Sequence, residues 1–142
     1  MKRSDIVDAV LTRMETILVA NGYNTDVGNN AEKDRTDPMG EDEEYLIDVV
    51  AGEWETEDMS MQVRRWMNVS VTFACSGFDA ITNRDLIIVD VVKAIYTDVT
   101  WGDLAIMTEE TGGAADKDTS EKLFAWGEVD MKILYATSVG EI

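Results

Sequence analysis

Two long runs in this chain alternate between apolar and other residues at every second position. The first carries Met61, Val63, Arg65, Met67, Val69, Val71, Phe73 and Cys75 on one side; the second carries Leu123, Ala125, Gly127, Val129, Met131, Ile133 and Tyr135. Successive side chains of a strand leave on opposite faces, so a period of two describes strands of a sheet with one buried face. Each run is roughly three times the usual strand length. Ribbons that long reach beyond what a small core covers, and their ends are left for a partner. The pattern points to a subunit of an assembly rather than to a self-contained catalyst.

The remaining elements follow from helical spacing and turn residues. Ser4 is read as an N-cap. Ile6, Val7, Val10, Leu11, Met14, Ile17 and Leu18 form one stripe, which predicts a helix from Asp5 to about Ala20, closed by Asn21-Gly22. Tyr23, Thr25 and Val27 predict a short strand. Residues 28–42 collect glycine, asparagine, charge and the only proline, Pro38, and read as a long mobile loop. Glu44–Val50 is a predicted strand. Gly52–Ser60 is a polar, acidic stretch that forms the tip of a hairpin with the first long run. After Ser76-Gly77, a helix capped by Thr82 or Asn83 runs to about Tyr96. Its apolar positions are Leu86, Ile88, Val89, Val92, Ile95 and Tyr96, and Arg84, Asp85, Asp90 and Lys93 fall on its polar side. Its β-branched content makes a strand the rival reading. Trp101-Gly102-Asp103 is a turn, Leu104–Glu110 a strand, Gly112–Ser120 a polar loop, and Glu121 to about Thr137 the second long strand. The order α-β-β-β-α-β-β predicts a single α+β domain over residues 1–142: a two-layer sandwich, its sheet mainly antiparallel, with two helices on one face.

Composition narrows the chemistry. A chain of 142 residues buries enough surface to need no disulfide or metal. Cys75, the single cysteine, lies on an apolar strand face and reads as a small buried hydrophobe. No charged-then-apolar leader and no bilayer-length apolar stretch is evident, so residence in a reducing cytosol and no membrane partner are expected. Twenty-nine acids face twelve bases, a formal charge of −17. Such a surface repels nucleic-acid phosphate and anionic membranes, and it also aids solubility. The absence of histidine removes the commonest general base and transition-metal ligand.

Asp34, Asp37, Glu41, Asp42, Glu43 and Glu44 are hard oxygen donors, but counting back from Gly40 puts Arg35 where a calcium loop needs its opening aspartate. Asp116, Asp118 and Ser120 share that opening spacing, with Glu121 in the glycine position. Gly112-Gly113 lacks the lysine and serine of a phosphate loop. No catalytic residue, metal or cofactor is expected. Arg64, Arg65 and Trp66 form the one basic-aromatic cluster. It is too narrow for nucleic acid, and tryptophan with arginine is the composition of interface hot spots. Packing on the sheet's second face is the plainer account of Trp66. Trp54, flanked by Glu53 and Glu55 in the acidic hairpin, has few core residues around it and is the better contact candidate. Asp34, Arg35, Asp37 and Glu41 are a second candidate assembly segment. Trp101 and Trp126 read as structural.

Taken along its length, the chain resembles the tail terminator proteins of long-tailed bacteriophages, the U-like minor tail proteins. The matching features are the opening amphipathic helix, the long loop, EYLIDVVAGEWE, the alternating RRWMNVSVTFACS, the helix RDLIIVDVVKAIYTD, the turn and strand TWGDLAIMTEET, a polar loop containing Asp116, and VDMKILYAT. The closest local matches are the Trp101-Gly102 turn and the last strand with Tyr135 and Thr137. The resemblance implies a virion subunit, made in the host cytoplasm, that forms a ring, a hexamer in that family. The ring caps the tail tube protein's polymer, stops its growth and offers its other face to a head-side connector protein. DNA passes through the negative lumen without specific binding. No catalysis or cofactor is implied. Two other readings stand beside it: a head-side neck or tail-completion protein, and a small metal-dependent or acid–base enzyme using Asp34, Asp37 and Glu41. A DNA mimic acting through its charge is a third.

Overall fold

The two alternating runs pair with each other: Val63 lies opposite Thr137, Val69 opposite Met131 and Cys75 opposite Ala125. They are the central strands of a computed structural model that describes every residue except Pro38, Glu41, Asp42, Met59, Ser60, Ser120 and Glu121. In chain order the elements are α1 (Lys2–Glu15), two 3-10 turns (Val19–Asn21 and Val27–Asn30), β1 (Ala31–Lys33), β2 (Tyr45–Asp58), β3 (Gln62–Ser76), α2 (Ala80–Ile95), β4 (Met107–Asp118) and β5 (Phe124–Ser138). The strands form one sheet in the order β1-β2-β3-β5-β4. Among the described residues only the β1–β2 pair is parallel. The fold is α+β, and its element order roughly matches the predicted one, with the first strand at Ala31–Lys33 rather than at 23–27.

Alternation becomes a core in the expected way. β3 turns Met67, Val69, Val71, Phe73 and Cys75 to one face, and β5 turns Ala125, Val129, Met131, Ile133 and Tyr135 to the same face. Ile6, Val7, Val10 and Met14 of α1 and Ile87, Val91, Ala94 and Ile95 of α2 complete that core. Each large apolar side chain so buried stabilises the fold by about 1.5–3 kcal/mol. Gly127 is part of the packing. A Cβ there would sit 2.9 Å from the Phe73 ring and 2.7 Å from the Ala114 carbonyl, so a bare backbone lets Phe73 lie across β5. The opposite face carries no helix among the described residues and shows Asn68, Ser70, Thr72, Asp130 and Lys132.

Several sequence expectations are corrected. Helix α1 stops at Glu15 rather than Ala20. The Thr16 hydroxyl donates back to the Arg13 carbonyl at 2.6 Å, and Leu18 is extended. Gly28 then docks on the helix end: its N–H donates to the Ile17 carbonyl at 2.9 Å, and a Cβ there would lie within 2.8 Å of the carbonyls of Met14, Glu15 and Ile17. Gly22, with φ +91°, closes the following 3-10 turn instead of the helix. Ser4 is no N-cap; it lies inside α1, and its hydroxyl donates to the Met1 carbonyl. No strand forms at Tyr23–Val27. Within 28–42 lie the second 3-10 turn and β1, where an unbroken loop was expected.

Asp90 is the largest correction within the core. Placed on the polar side of its helix by sequence, it is 0% exposed. Ile87, Asp90, Val91 and Ala94 form the buried stripe of α2, while Val89 and Tyr96 are 54% and 55% exposed. The Asp90 carboxylate accepts four hydrogen bonds, from the backbone N–H and side-chain amide of Asn24 and from the backbone N–H and hydroxyl of Thr25. This latch holds the segment after α1 in place of the expected strand.

The outer strands also differ. β2 does not stop at Val50 but continues to Asp58, and β4 runs through the expected polar loop 112–118. Both are held by ladder bonds to a neighbour, not by burial: every residue of β4 except Thr108 is exposed, as is all of Gly52–Glu57.

The turn before β4 is organised by Asp98. Its carboxylate accepts from Thr100 N–H, the Thr100 hydroxyl and Gly102 N–H at 2.7–2.9 Å. These bonds hold its pKa down at about 2. The neighbouring Trp101 is buried beneath the Arg13 guanidinium, 4.0 Å from its ring centre, and its indole N–H donates to Thr108. A carboxylate whose pKa falls on folding stabilises the native state above its unfolded value near 3.8, and that contribution is lost as pH falls toward 2. An Asp98→Asn variant is therefore expected to lose thermal stability less steeply than the wild type between those pH values. Parallel melting curves across that window check it; equal slopes would contradict it.

Candidate functional site

The hairpin of β2 and β3 brings most of the sequence's contact candidates together at one end of the sheet. Trp54 lies opposite Met67, Glu55 opposite Trp66, Thr56 opposite Arg65 and Glu57 opposite Arg64. A bulge between Ala51 and Trp54 inserts one extra residue in β2. It shifts the alternation so that Trp54 joins the helix-covered face, where the Arg3 guanidinium of α1 lies 5.5 Å from its ring centre. Trp54 remains 49% exposed.

Arg64 and Trp66 share the open face and Arg65 takes the other, as alternation requires. The Trp66 indole N–H donates to Glu57 at 3.3 Å, and Lys132 lies over its ring at 4.5 Å while pairing with Glu109 at 3.3 Å. Trp66 is thus tied down by its neighbours, whereas the Arg64 guanidinium makes no hydrogen bond or ion pair among the described residues, and its Nε is buried. Arg65 donates to the Thr137 hydroxyl at 2.6 Å. Glu53 sits in the bulge, exposed.

The second candidate segment lies on the other side of β2. Asp34 has φ +50° and donates its N–H to the Val49 carbonyl. Arg35 is engaged within the chain: its backbone N–H reaches Asp48, its Nε reaches the Asp37 carbonyl, and its two terminal nitrogens grip Glu43 at 3.1 and 2.7 Å. That grip raises the Arg35 pKa and lowers that of Glu43. Burial pushes the Asp48 carboxyl up, with the Arg35 N–H opposing it. Asp37 gives this knot its backbone carbonyl, adds its charge to the pull on Arg35 and stays exposed. Glu41 lies outside the described residues.

Among the described residues, no group of three acids, cysteines or histidines converges as a cation site. Asp116 and Asp118, read as the opening of a loop, lie on one face of strand β4; Ser120 and Glu121 lie outside the described residues. Burial lifts the Cys75 thiol to about 11, which keeps it protonated and a poor nucleophile. Trp101 is structural, as expected, but Trp126 is 37% exposed on the open face. Among the described residues no helix is long and apolar enough to cross a membrane.

Sequence reasoning missed two features. One is the outer edge of the sheet. Among the described residues β4 has no strand on its far side, and β1 pairs with β2 only from Ile47 to Val49. Two stretches on opposite sides of one sheet therefore lack an outer strand neighbour among the described residues, although Arg3 takes the Gly52 carbonyl and Arg84 the Asp116 carbonyl; natural proteins blunt or cover such edges when they act alone. The other is the acidity of the open face, where Glu109, Glu128 and Asp130 lie on adjacent strands. Glu128, hydrogen-bonded to Asp130 and partly desolvated, is held above the usual carboxyl range. No family model matches this chain, and no curated protein matches it.

Proposed function

We propose that this chain is a virion assembly subunit whose copies form a ring that caps a phage tail tube, stops its polymerisation and offers the other face to a head-side connector. The observation that carries the proposal is the pair of outer ribbons. β4 and the outer half of β2 are long, exposed on both faces and have no outer strand neighbour among the described residues. The strands of this sheet reach about 50 Å at ~3.3 Å per residue, whereas α2 is about 24 Å long at 1.5 Å per residue. Such ribbons are completed by other chains. Patches on opposite sides of a sheet meet heterologously, and heterologous contacts that close make rings. The acid-rich open face, turned toward a lumen, lets DNA slide past without adhering. Residues Trp54, Arg64 and Trp66 supply the contacts between neighbours and with the tube end.

Adding the purified chain to a polymerising tube subunit tests the proposal. Tubes are expected to shorten as the proportion of chain rises. Tubes of unchanged length, or binding to connector rings but not to tubes, overturn it, and the latter outcome assigns the chain to the neck.

A further inference from the structure

Helix α2 has two apolar flanks, and the fold covers one of them. Ile87, Val91, Ala94 and Ile95 face the core, whereas Ile88 and Val92 are half-buried and Val89 and Tyr96 are exposed. β4 turns Glu110, Gly113, Ala115 and Lys117 to the same side of the sheet, opposite Met131, Val129, Gly127 and Ala125 of β5. Between helix and strand lies an open groove of about 430 Å³, lined by Ile88 and Val92 of α2, Val129 of β5 and the Gly112–Ala115 stretch of β4. Its acids are Glu110 and Glu128, and the Glu128 side chain belongs to the open face, opposite Ala114 and Thr72. Gly113 is bare for an internal reason: a Cβ there would sit 2.4 Å from the Glu128 carbonyl. The result is a groove with apolar walls and no large side chain on its strand side.

The opposite edge of the sheet carries a matching projection. The β2 bulge turns Trp54 to the helix-covered side, where half of it stays exposed and the Arg3 guanidinium lies over its ring. Arg3 donates to the Gly52 carbonyl at 2.9 Å and to the Met67 sulfur at 3.4 Å, both neutral acceptors. Glu110 is its counterpart at the groove. It accepts from the Tyr96 hydroxyl at 3.4 Å, and no cation pairs with it among the described residues. One edge thus offers an aromatic ring with a cation on it, and the other an apolar groove with an acid beside it. Direction agrees as well. β2 is antiparallel to β3, β3 to β5 and β5 to β4, so β2 and β4 run in opposite directions. A second copy shifted sideways along the sheet, without being turned over, sets its β2 antiparallel to β4 and brings its Trp54 in on the side where the groove lies.

We infer that the α2–β4 groove receives Trp54 of a second copy of this chain, with Arg3 of that copy set against Glu110. The ring covers the flank of α2 that the fold leaves open, and the opposite charges fix the direction of entry. Projection and groove are different surfaces on opposite edges of one sheet. The contact is therefore heterologous: each copy fills one groove and offers another, and the series ends only when it closes. That the occupant is another copy rests on the assembly subunit proposed above, and the groove names the surface that Trp54 meets there.

Sedimentation velocity of the full chain tests the inference. The wild type is expected to form multimers as its concentration rises. Trp54→Ala removes the projection and keeps the groove; Ala115→Arg obstructs the groove and keeps the projection. Ala115 is exposed, so its variant is expected to melt with the wild type. Each variant alone is expected to associate at least roughly tenfold more weakly. Mixed in equal amounts, they are expected to form one-to-one dimers and nothing larger, because only one productive projection and one productive groove remain per pair. Arg3→Glu and Glu110→Arg are each expected to weaken association, and the double variant to restore it. A wild type that stays monomeric at its highest soluble concentration overturns the groove. So does wild-type association of either single variant, a mixture that associates no better than its parts, or a double variant as weak as its parents. The assay contains no tube subunit. Tubes that grow unchecked while copies associate through Trp54 and the groove overturn the capping function and leave the contact standing. Tubes capped by a chain whose association ignores both variants do the reverse.

Discussion

Replacing Asp90 with alanine is expected to destabilise the chain by about 4 kcal/mol, the largest effect of any single polar substitution in it. The carboxylate is fully buried and receives four donors from Asn24 and Thr25. Removing it strands the Thr25 N–H and hydroxyl in the core and leaves the Asn24 groups without their acceptor. Each buried donor so abandoned costs about 1–3 kcal/mol. The released segment also joins α1 to Val27, Gly28 and β1, so its loss loosens the packing at the end of α1. Urea denaturation monitored by circular dichroism checks the expectation. A shift of less than about 1 kcal/mol would mean that the Asn24-Thr25 segment finds other acceptors at little cost.

The second large effect is on assembly. Trp54→Ala and Arg64→Glu are expected to fold with stability within about 1 kcal/mol of the wild type, since both residues lie at the margin of the core. Trp54 loses little more than its exposed contact with Arg3, worth about 0.5–1 kcal/mol. Arg64 gives up no internal bond among the described residues. Both variants are nevertheless expected to fail to cap tubes. An exposed tryptophan on β2 and an unspent arginine on β3 of the same hairpin are hot-spot residues, and truncating such a residue costs about 2 kcal/mol or more, roughly thirtyfold in affinity. Tube-length distributions with each variant in place of the wild type provide the measurement. Normal tube lengths with both variants would remove this ribbon from the contact.

The parts of the fold that one-sided burial shapes were legible in advance. α1, β3 and β5 each carry a periodic apolar signal because each has one wet and one dry side. β4 and the outer half of β2 have no dry side. Their sequences, TEETGGAADKD and GEWETED, contain no alternation to read, and they are strands only because β5 and β3 offer them a ladder. Asp90 was misplaced because a charged residue was assigned to water by its chemistry, although its spacing from Ile87, Val91 and Ala94 fits the buried stripe. Its partners, Asn24 and Thr25, lie 66 and 65 residues away and no local pattern connects them. Of the contact candidates, Trp54 is as exposed as its acidic neighbours implied, whereas Arg35 is committed to Glu43 and Asp48.

Electron microscopy of tubes grown in the presence of this chain bears most directly on the central claim, that its outer ribbons are completed by copies of itself and by a neighbouring polymer. The account predicts closed rings of added density seated on one end of each tube, with growth halted there. Bare tube ends beside a dispersed, single-copy protein would contradict it.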